Sequence, residues 1–294
     1  MHRTYRTIAL LAAWLLAAGG SLSFAQDAAS IDVVYAAAAG DFDAVQGYLA
    51  AGGDPNARRP DGATALIRAA DGGHIALVKL LIEHDAEPDF VDSEGGTALL
   101  YAAESGYLEI TRLLLGAEAD PNLQGQDDLT ALILAAEEGR VAMVRALLDA
   151  GADPNLQDVE GGTALLNAFR FRNVDNLEPY EETIRLLVDA GADVVARDRQ
   201  GRTVLMFASA AGHLAVVRAA LEAGTDVNAV DDRFGVTALF AAAAEGHADV
   251  VRVLLEAGAD VRVRNAEDKT ALTYAREAGH DAVVALLNEA GAEE

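Results

Sequence analysis

The sequence predicts an all-α fold, a solenoid of helix-turn-helix units stacked in single file, and three observations carry that expectation. Hydrophobic residues make up 52% of the chain but aromatic residues only 5%, a balance suited to helices packed closely through alanine rather than to a core of large rings. A threonine returns at positions 64, 97, 130, 163, 203, 237 and 270, separated by 33, 33, 33, 40, 34 and 33 residues. The 294 residues include no Cys, so cohesion has to come from packing. A unit this short exposes an apolar face until a neighbour covers it, and a period near 33 residues therefore implies a stack.

Each element within a unit has a local cause. Around the threonines the text recurs as GATALIRAADGGH, GGTALLYAAESGY, DLTALILAAEEGR, GGTALLNAFRFRN, GRTVLMFASAAGH, GVTALFAAAAEGH and DKTALTYAREAGH. Threonine is a good N-cap because its hydroxyl accepts a bond from an orphan amide, and the alanines after it let the short helix approach its neighbours. Glycine ends that helix. The second helix carries aliphatic pairs one turn apart, such as Met143, Val144, Leu147 and Leu148 or Val250, Val251, Leu254 and Leu255, which line one face. It closes on EAGAD or DAGAD, where Gly151, Gly191, Gly224, Gly258 and Gly291 can take the left-handed conformation. A DPN or DVN turn leads to the next unit, and Pro55, Pro88, Pro121 and Pro154 keep the same phase.

This spacing and text resemble the ankyrin repeat family over about residues 31–292. The units run 60–92, 93–125, 126–158, 159–198, 199–232, 233–265 and 266–292, after a degenerate opening copy at 31–59 that carries YAAAAGDFDAV and YLAAGGDPN. The resemblance implies an L-shaped helix pair and a short β-hairpin loop per repeat, about eight repeats including degenerate terminal ones, and a curved surface that binds other proteins. The family's Thr-Pro-Leu-His is altered: Ile67, Leu100, Ile133, Leu166, Met206, Phe240 or Thr273 stands at the histidine position, so apolar packing replaces a polar cross-link. Two second helices reach Asp85 and Glu118 where the others reach glycine. A non-glycine residue there costs roughly 1 kcal/mol, so these two corners are expected to be the least regular. Arg276 and Asn288 in the last repeat suit a terminal cap.

The first 25 residues follow different rules. Arg3 and Arg6 precede an apolar run of 11 residues from Ile8 to Ala18, then SLSFAQ with Ser23 and Ala25 before a cleavage point. This reads as a secretory signal peptide over 1–25, followed by a short segment at 26–30. The run is too short to cross a bilayer, so no membrane anchor is expected, and the location is periplasmic or, alternatively, secreted. Trp14 is the only Trp, so the exported chain should fluoresce through tyrosine alone. Without Arg3 and Arg6 the chain keeps 20 basic residues against 47 acidic, a formal charge of −27. Such a surface repels phosphate backbones and anionic lipid, which disfavours nucleic acid and membranes and favours a protein partner with a basic surface. A monomer is expected.

Reactive groups are sparse. Ser30, Ser93, Ser105 and Ser209 lie in no GxSxG elbow, and the chain holds no phosphate-binding loop, HExxH helix or EF-hand loop. His74, His213, His247 and His280 recur in phase, but stacked helices lie about 8–10 Å apart while zinc ligands sit about 2 Å from the ion, so a hydrogen bond at a helix start or between repeats is the expectation. Asp54, Asp120, Asp153, Asp193, Asp226 and Asp260 also recur and read as turn residues rather than calcium ligands. No catalytic residue, metal or cofactor is expected. A hydrolytic enzyme would have to use Glu160, Asp175, Glu178 and Glu181 beside the one long interval.

By resemblance, contact positions lie at hairpin tips and at the ends of first helices. There the sequence places Asp61, Asp71, Glu94, Glu104, Asp127, Asp128, Glu137, Glu138 and Glu160, with Tyr101 among them. Further along come Arg170, Arg199, Arg202, Arg233 and Lys269 beside apolar Phe234. The face is thus acidic in its first half and basic in its second, either for binding or as a solvated surface. The 40-residue interval adds seven residues between the helices of repeat five, in the stretch FRFRNVDNLEPYEE. Phe169, Arg170, Phe171, Arg172 and Tyr180 are types favoured at binding hot spots. Both a partner-contacting protrusion and a tolerated insertion are consistent with that composition.

Overall fold

The computed structural model describes residues 33–170 and 178–293. Its helices come in pairs: α1 (33–39) with α2 (Phe42–Ala50), α3 (Ala65–Asp71) with α4 (Ile75–Glu83), and α5 (Ala98–Ser105) with α6 (Leu108–Gly116). Then follow α7 (Ala131–Glu137) with α8 (Val141–Asp149) and α9 (Ala164–Arg170) with α10 (Glu178–Asp189). The last three pairs are α11 (Val204–Ala211) with α12 (Leu214–Glu222), α13 (Ala238–Glu245) with α14 (Ala248–Glu256), and α15 (Ala271–Ala278) with α16 (Asp281–Glu289).

The threonines do what their position predicts. Thr64 Oγ1 accepts from the Ile67 amide at 3.2 Å, and Thr97, Thr130, Thr163, Thr203, Thr237 and Thr270 repeat the bond within 3.2–3.4 Å. First helices stack on first helices and second on second. Ala69, Ala102, Ala135, Ala168, Ala208, Ala242 and Ala275 are fully buried in the first-helix layer. Small residues there allow closer approach than the leucines and valines of the second-helix layer, and this first-helix side, together with the arms, is the inner face. Ile67, Ile133 and Leu166, at the altered histidine position, are buried to within 1%. The hairpin loops are arms without named strands among the described residues; isolated bridges join Arg58 to Thr64 and Arg197 to Thr203.

One joint recurs between units. A left-handed glycine closes the first helix at Gly40, Gly73, Gly106, Gly139, Gly212 and Gly246, with φ between 61° and 80°. The side it leaves bare receives a residue from the start or first turn of the next unit's second helix. A Cβ at Gly40 would lie 2.7 Å from the His74 ring, one at Gly73 2.7 Å from the Tyr107 ring, and one at Gly106 3.1 Å from the Arg140 guanidinium. The same closeness holds for Gly139 with Tyr180, Gly212 with His247 and Gly246 with His280. Hydrogen bonds fix these plugs. His74, His247 and His280 donate from Nε2 to the carbonyls of Ala38, Ala210 and Ala244 at 3.4, 3.1 and 2.9 Å, and Arg140 donates to Ala103 and Glu104. Three of the four recurring histidines thus make inter-repeat hydrogen bonds, while His213 lies edge-on to the Phe169 ring of the previous unit. At the ends the pattern stops: a Cβ at Gly279 would meet nothing within 4 Å, and the first unit has Asp41 at the plug position, capping its own helix by accepting from Ala44 at 3.1 Å.

A second joint lies at the far corners. Asn56, Asn122, Asn155 and Asn228 each donate to the next unit's corner carbonyl, at Asp85, Gly151, Gly191 and Gly258, and accept from the amide two residues beyond it. Asp54, Asp120, Asp153, Asp193, Asp226 and Asp260 accept from the amide two residues on, the expected turn. The corners at Asp85 and Glu118 overturn the expectation of irregularity. Both residues take φ near 60°, and the closing bonds from Ala86 to Leu81 and Ala119 to Leu114 are 3.0 Å, as from Ala152 to Leu147 at Gly151. The closure is made by backbone alone, so a strained residue holds the same geometry.

In repeat five, α9 ends at Arg170 and α10 starts at Glu178. Buried Thr183, Ile184 and Leu187 restore the apolar face. Phe171 and Arg172, like residues 1–25, lie outside the described residues.

Gly212→Ala and Gly151→Ala each place a side chain at positive φ, at about 1 kcal/mol. The first also drives its Cβ to 2.7 Å from the His247 ring, whereas the second meets open space. Gly212→Ala should therefore lose about 1–3 kcal/mol more by overpacking in urea unfolding followed by circular dichroism; equal losses would show that the seat contributes nothing.

Candidate functional site

The arms before the threonines are shaped by a buried acid. Asp92 Oδ1 accepts from the amides of Glu94 and Gly96, both at 3.0 Å, while Oδ2 accepts from the Tyr101 hydroxyl at 2.9 Å and from Arg68 on α3 at 3.3 Å. Burial, and then the bond to Asp92, pushes the Tyr101 hydroxyl well above its usual range. Asp158 holds Glu160 and Gly162 and takes a bond from Asn167 at 2.8 Å. Asp198 holds Gln200 and Arg202, Asp231 holds Phe234 and Val236, and Asn265 holds Glu267 and Lys269. Backbone bonds link neighbouring arms, as from Ser93 to Asp61 at 2.7 Å and from Val159 to Asp127 at 2.9 Å. The arms thus form a fixed ribbon beside the first helices.

The arm of repeat four differs. Gly125 occupies the place of the buried acid, and Asp127 and Asp128 both take φ 57°. Gln124 supplies the missing link, donating to Asp128 and Gln157 at 2.8 and 2.9 Å. A hollow of about 330 Å³ opens there, lined by Leu100, Leu129, Leu134 and the Tyr101 ring, with Glu94, Glu104 and Asp127 around it. Four of the residues expected from sequence to meet a partner, Glu94, Tyr101, Glu104 and Asp127, are brought together by this hollow.

The other expected residues divide. Asp71, Asp128, Glu138 and Glu160 are exposed and Asp61 is half-buried. Several acids already hold a cation of their own: Asp61 with Arg59, Asp71 with Arg68, Glu160 with Arg170 at 2.6 Å and buried Asp198 with Arg202 at 2.6 Å. Phe234 is 47% exposed, with Arg233 lying 4.7 Å over its ring. Phe169 and Tyr180 correct the sequence reading. They are 4% and 7% exposed; Phe169 lies edge-on to His213 with ring centroids 6.1 Å apart, and Tyr180 plugs the Gly139 seat. Both are fold residues rather than contact residues.

On the opposite side, α10 and α12 lack the close packing that joins other neighbouring second helices. A cleft of about 750 Å³ opens among Val141, Pro179, Glu181, Val188, His213 and Val216. Burial holds the His213 imidazole below its usual range against the pull of Glu181. Glu160 lies on an arm paired to Arg170 and Glu181 lines this rear cleft, so these two expected carboxylates do not converge. Asp175 lies outside the described residues.

A stack of helix pairs with a ribbon of arms along one side defines a repeat array that presents surface. The family model for ankyrin repeats in three copies matches residues 33–125, 117–198, 160–231 and 205–294. The chain belongs to the ankyrin repeat family, and its repeats mark it as a protein–protein interaction module. No curated protein matches it. No helix among the described residues is long and apolar enough to cross a membrane.

One titration on the inner face is testable. Burial first, then the charge of Asp158, pushes the Glu137 carboxyl up to about 6 from 4.5; Arg170 opposes and Glu138 adds. Between those values the folded chain keeps a proton that the unfolded chain has released, so this group's contribution to stability falls as pH rises through the window. Glu137→Gln is expected to stabilise the chain by about 1 kcal/mol above neutrality, discounted for partial exposure, and to change nothing near pH 4. Urea midpoints at both pH values check the difference.

Proposed function

We propose that this chain acts without catalysis, in the periplasm of a Gram-negative bacterium, by holding an exported protein with a basic surface against its inner face and stabilising or localising it. The carrying observation is the charge of the first half of that face. From residue 71 to residue 138 the arms and first helices carry eight acidic side chains, Asp71, Asp92, Glu94, Glu104, Asp127, Asp128, Glu137 and Glu138, and no basic one. Lys79 and Arg112 lie on second helices, and Arg68, just before this stretch, pairs with Asp71 and Asp92. A partner of opposite charge is steered to such a surface and oriented on it. The apolar run and cleavage text at residues 8–26 support export. A secreted role toward host proteins uses the same surface, and comparison of culture supernatant with osmotic-shock fluid separates the two locations.

The proposal is tested by capture from periplasmic extract. The intact chain should retain a basic protein at low salt and release it as salt screens the contact. A variant with Glu94→Gln, Glu104→Gln and Asp127→Asn should retain at least tenfold less. Salt-insensitive capture, or equal capture by the variant, would remove the inner face from the account.

A further inference from the structure

Four residues after the capping threonine, the units carry Arg68, Tyr101, Leu134, Asn167 and Tyr274 among others. Arg68 shows what a cation does near this position. Its guanidinium pairs with Asp71 at 3.8 Å and Asp92 at 3.3 Å and lies 5.8 Å over the Tyr101 ring. Later stretches of the inner face repeat the arrangement with their own cations: Arg170 with Glu160, Arg202 with Asp198, and Lys269 with Glu267 and Glu277. Between repeats three and four the Glu104 and Asp127 carboxylates remain, while the Arg140 guanidinium alongside bonds the backbone carbonyls of Ala103 and Glu104 rather than a carboxylate. Glu104 and Asp127 make no ion pair among the described residues, and the equivalent position holds Leu134.

Space accompanies these unpaired carboxylates. Gly125 leaves the hollow open; a Cβ there would approach Leu100 Cδ1 to 2.7 Å and the Gly95 carbonyl to 2.9 Å. The floor of Leu100, Leu134 and the Tyr101 ring is apolar while the surround is acidic. A matching side chain has an aliphatic stem and a planar cationic head, which is arginine: its stem covers the leucines, and its fork bonds two carboxylates in a way a lysine ammonium does not.

We propose that the hollow between repeats three and four seats an arginine from an extended segment of the partner protein, completing from outside the cation pattern that the other units complete from within. This rests on the reading of the inner face as the binding surface. It adds the residue type that is recognised and the place where it goes.

The test uses the purified chain and three fluorescein-labelled nonapeptides of alternating glycine with arginine, lysine or citrulline, read by fluorescence anisotropy. The arginine peptide should bind at least tenfold tighter than the citrulline peptide, which keeps its shape without charge, and severalfold tighter than the lysine peptide. Glu104→Gln with Asp127→Asn should weaken it at least tenfold. Glu222→Gln with Glu256→Gln, which removes the same charge from exposed sites on second helices, should change it less than twofold. Leu134→Arg supplies the cation within the chain and should abolish binding without lowering the urea midpoint. Equal binding of the lysine or citrulline peptide, equal loss in the two double variants, or unimpaired binding by a folded Leu134→Arg chain would each overturn the proposal. If the seat fails on these measures while extract capture still depends on the inner-face carboxylates, the binding surface stands and the arginine seat falls.

Discussion

The structure depends on the contact between a bare glycine and the flat or forked side chain laid upon it from the next unit. Neither half of a unit is stable alone, because the helices other than α10 are only 7–9 residues long and such helices are marginal in water. Neighbours must therefore fix both distance and angle. Apolar burial supplies the attraction but is non-directional. Direction comes from the seat: glycine lacks the Cβ that would collide with the incoming ring, and the ring's nitrogen reaches a carbonyl of the previous helix, as His280 does to Ala244 at 2.9 Å. Histidine, tyrosine and arginine all serve, since each presents a planar group at the end of a short or extended stem.

Because the joint is geometric, the array tolerates disturbance between joints. Repeat five gains seven residues, yet Tyr180 still reaches the Gly139 seat and Leu187 is fully buried. The disturbance surfaces elsewhere, as the loosened packing of α10 on α12. The arms follow the same logic on the other side, with a buried acid organising four of the turns, at Asp92, Asp158, Asp198 and Asp231, Asn265 doing so in the last, and repeat four substituting Gly125 and the two cross-links of Gln124.

Much of this was legible in the sequence, because its causes are local. Thr64 and its counterparts cap helices wherever they occur, and the paired aliphatics specify a buried stripe without tertiary knowledge. Residues whose role depends on a neighbouring unit were harder to read. Tyr180 and Phe169 resemble contact residues by type, and only register shows that Tyr180 stands where His74 and Tyr107 stand, ten residues after the threonine plus the seven inserted. Asp92, Asp158 and Asp198, each five residues before a threonine, gave a signal of the same kind that composition alone conceals. Asp85 and Glu118 escape a propensity argument, because propensity reports the cost of a conformation and not whether the surrounding bonds compel it. The acidic residues at the hollow were visible by position, whereas the hollow itself follows from what Gly125 lacks.

The two ends of the stack carry an asymmetry with a bearing on solubility. A single-file assembly whose ends matched would extend from molecule to molecule into fibres. Here the last glycine to close a first helix, Gly279, is open, but the residue that a following copy would bring to it is Asp41, whose carboxylate already caps its own helix. An acid presented to the carbonyl end of a helix is repelled, so the chain carries at its first unit a chemical stop against growing onto its own tail.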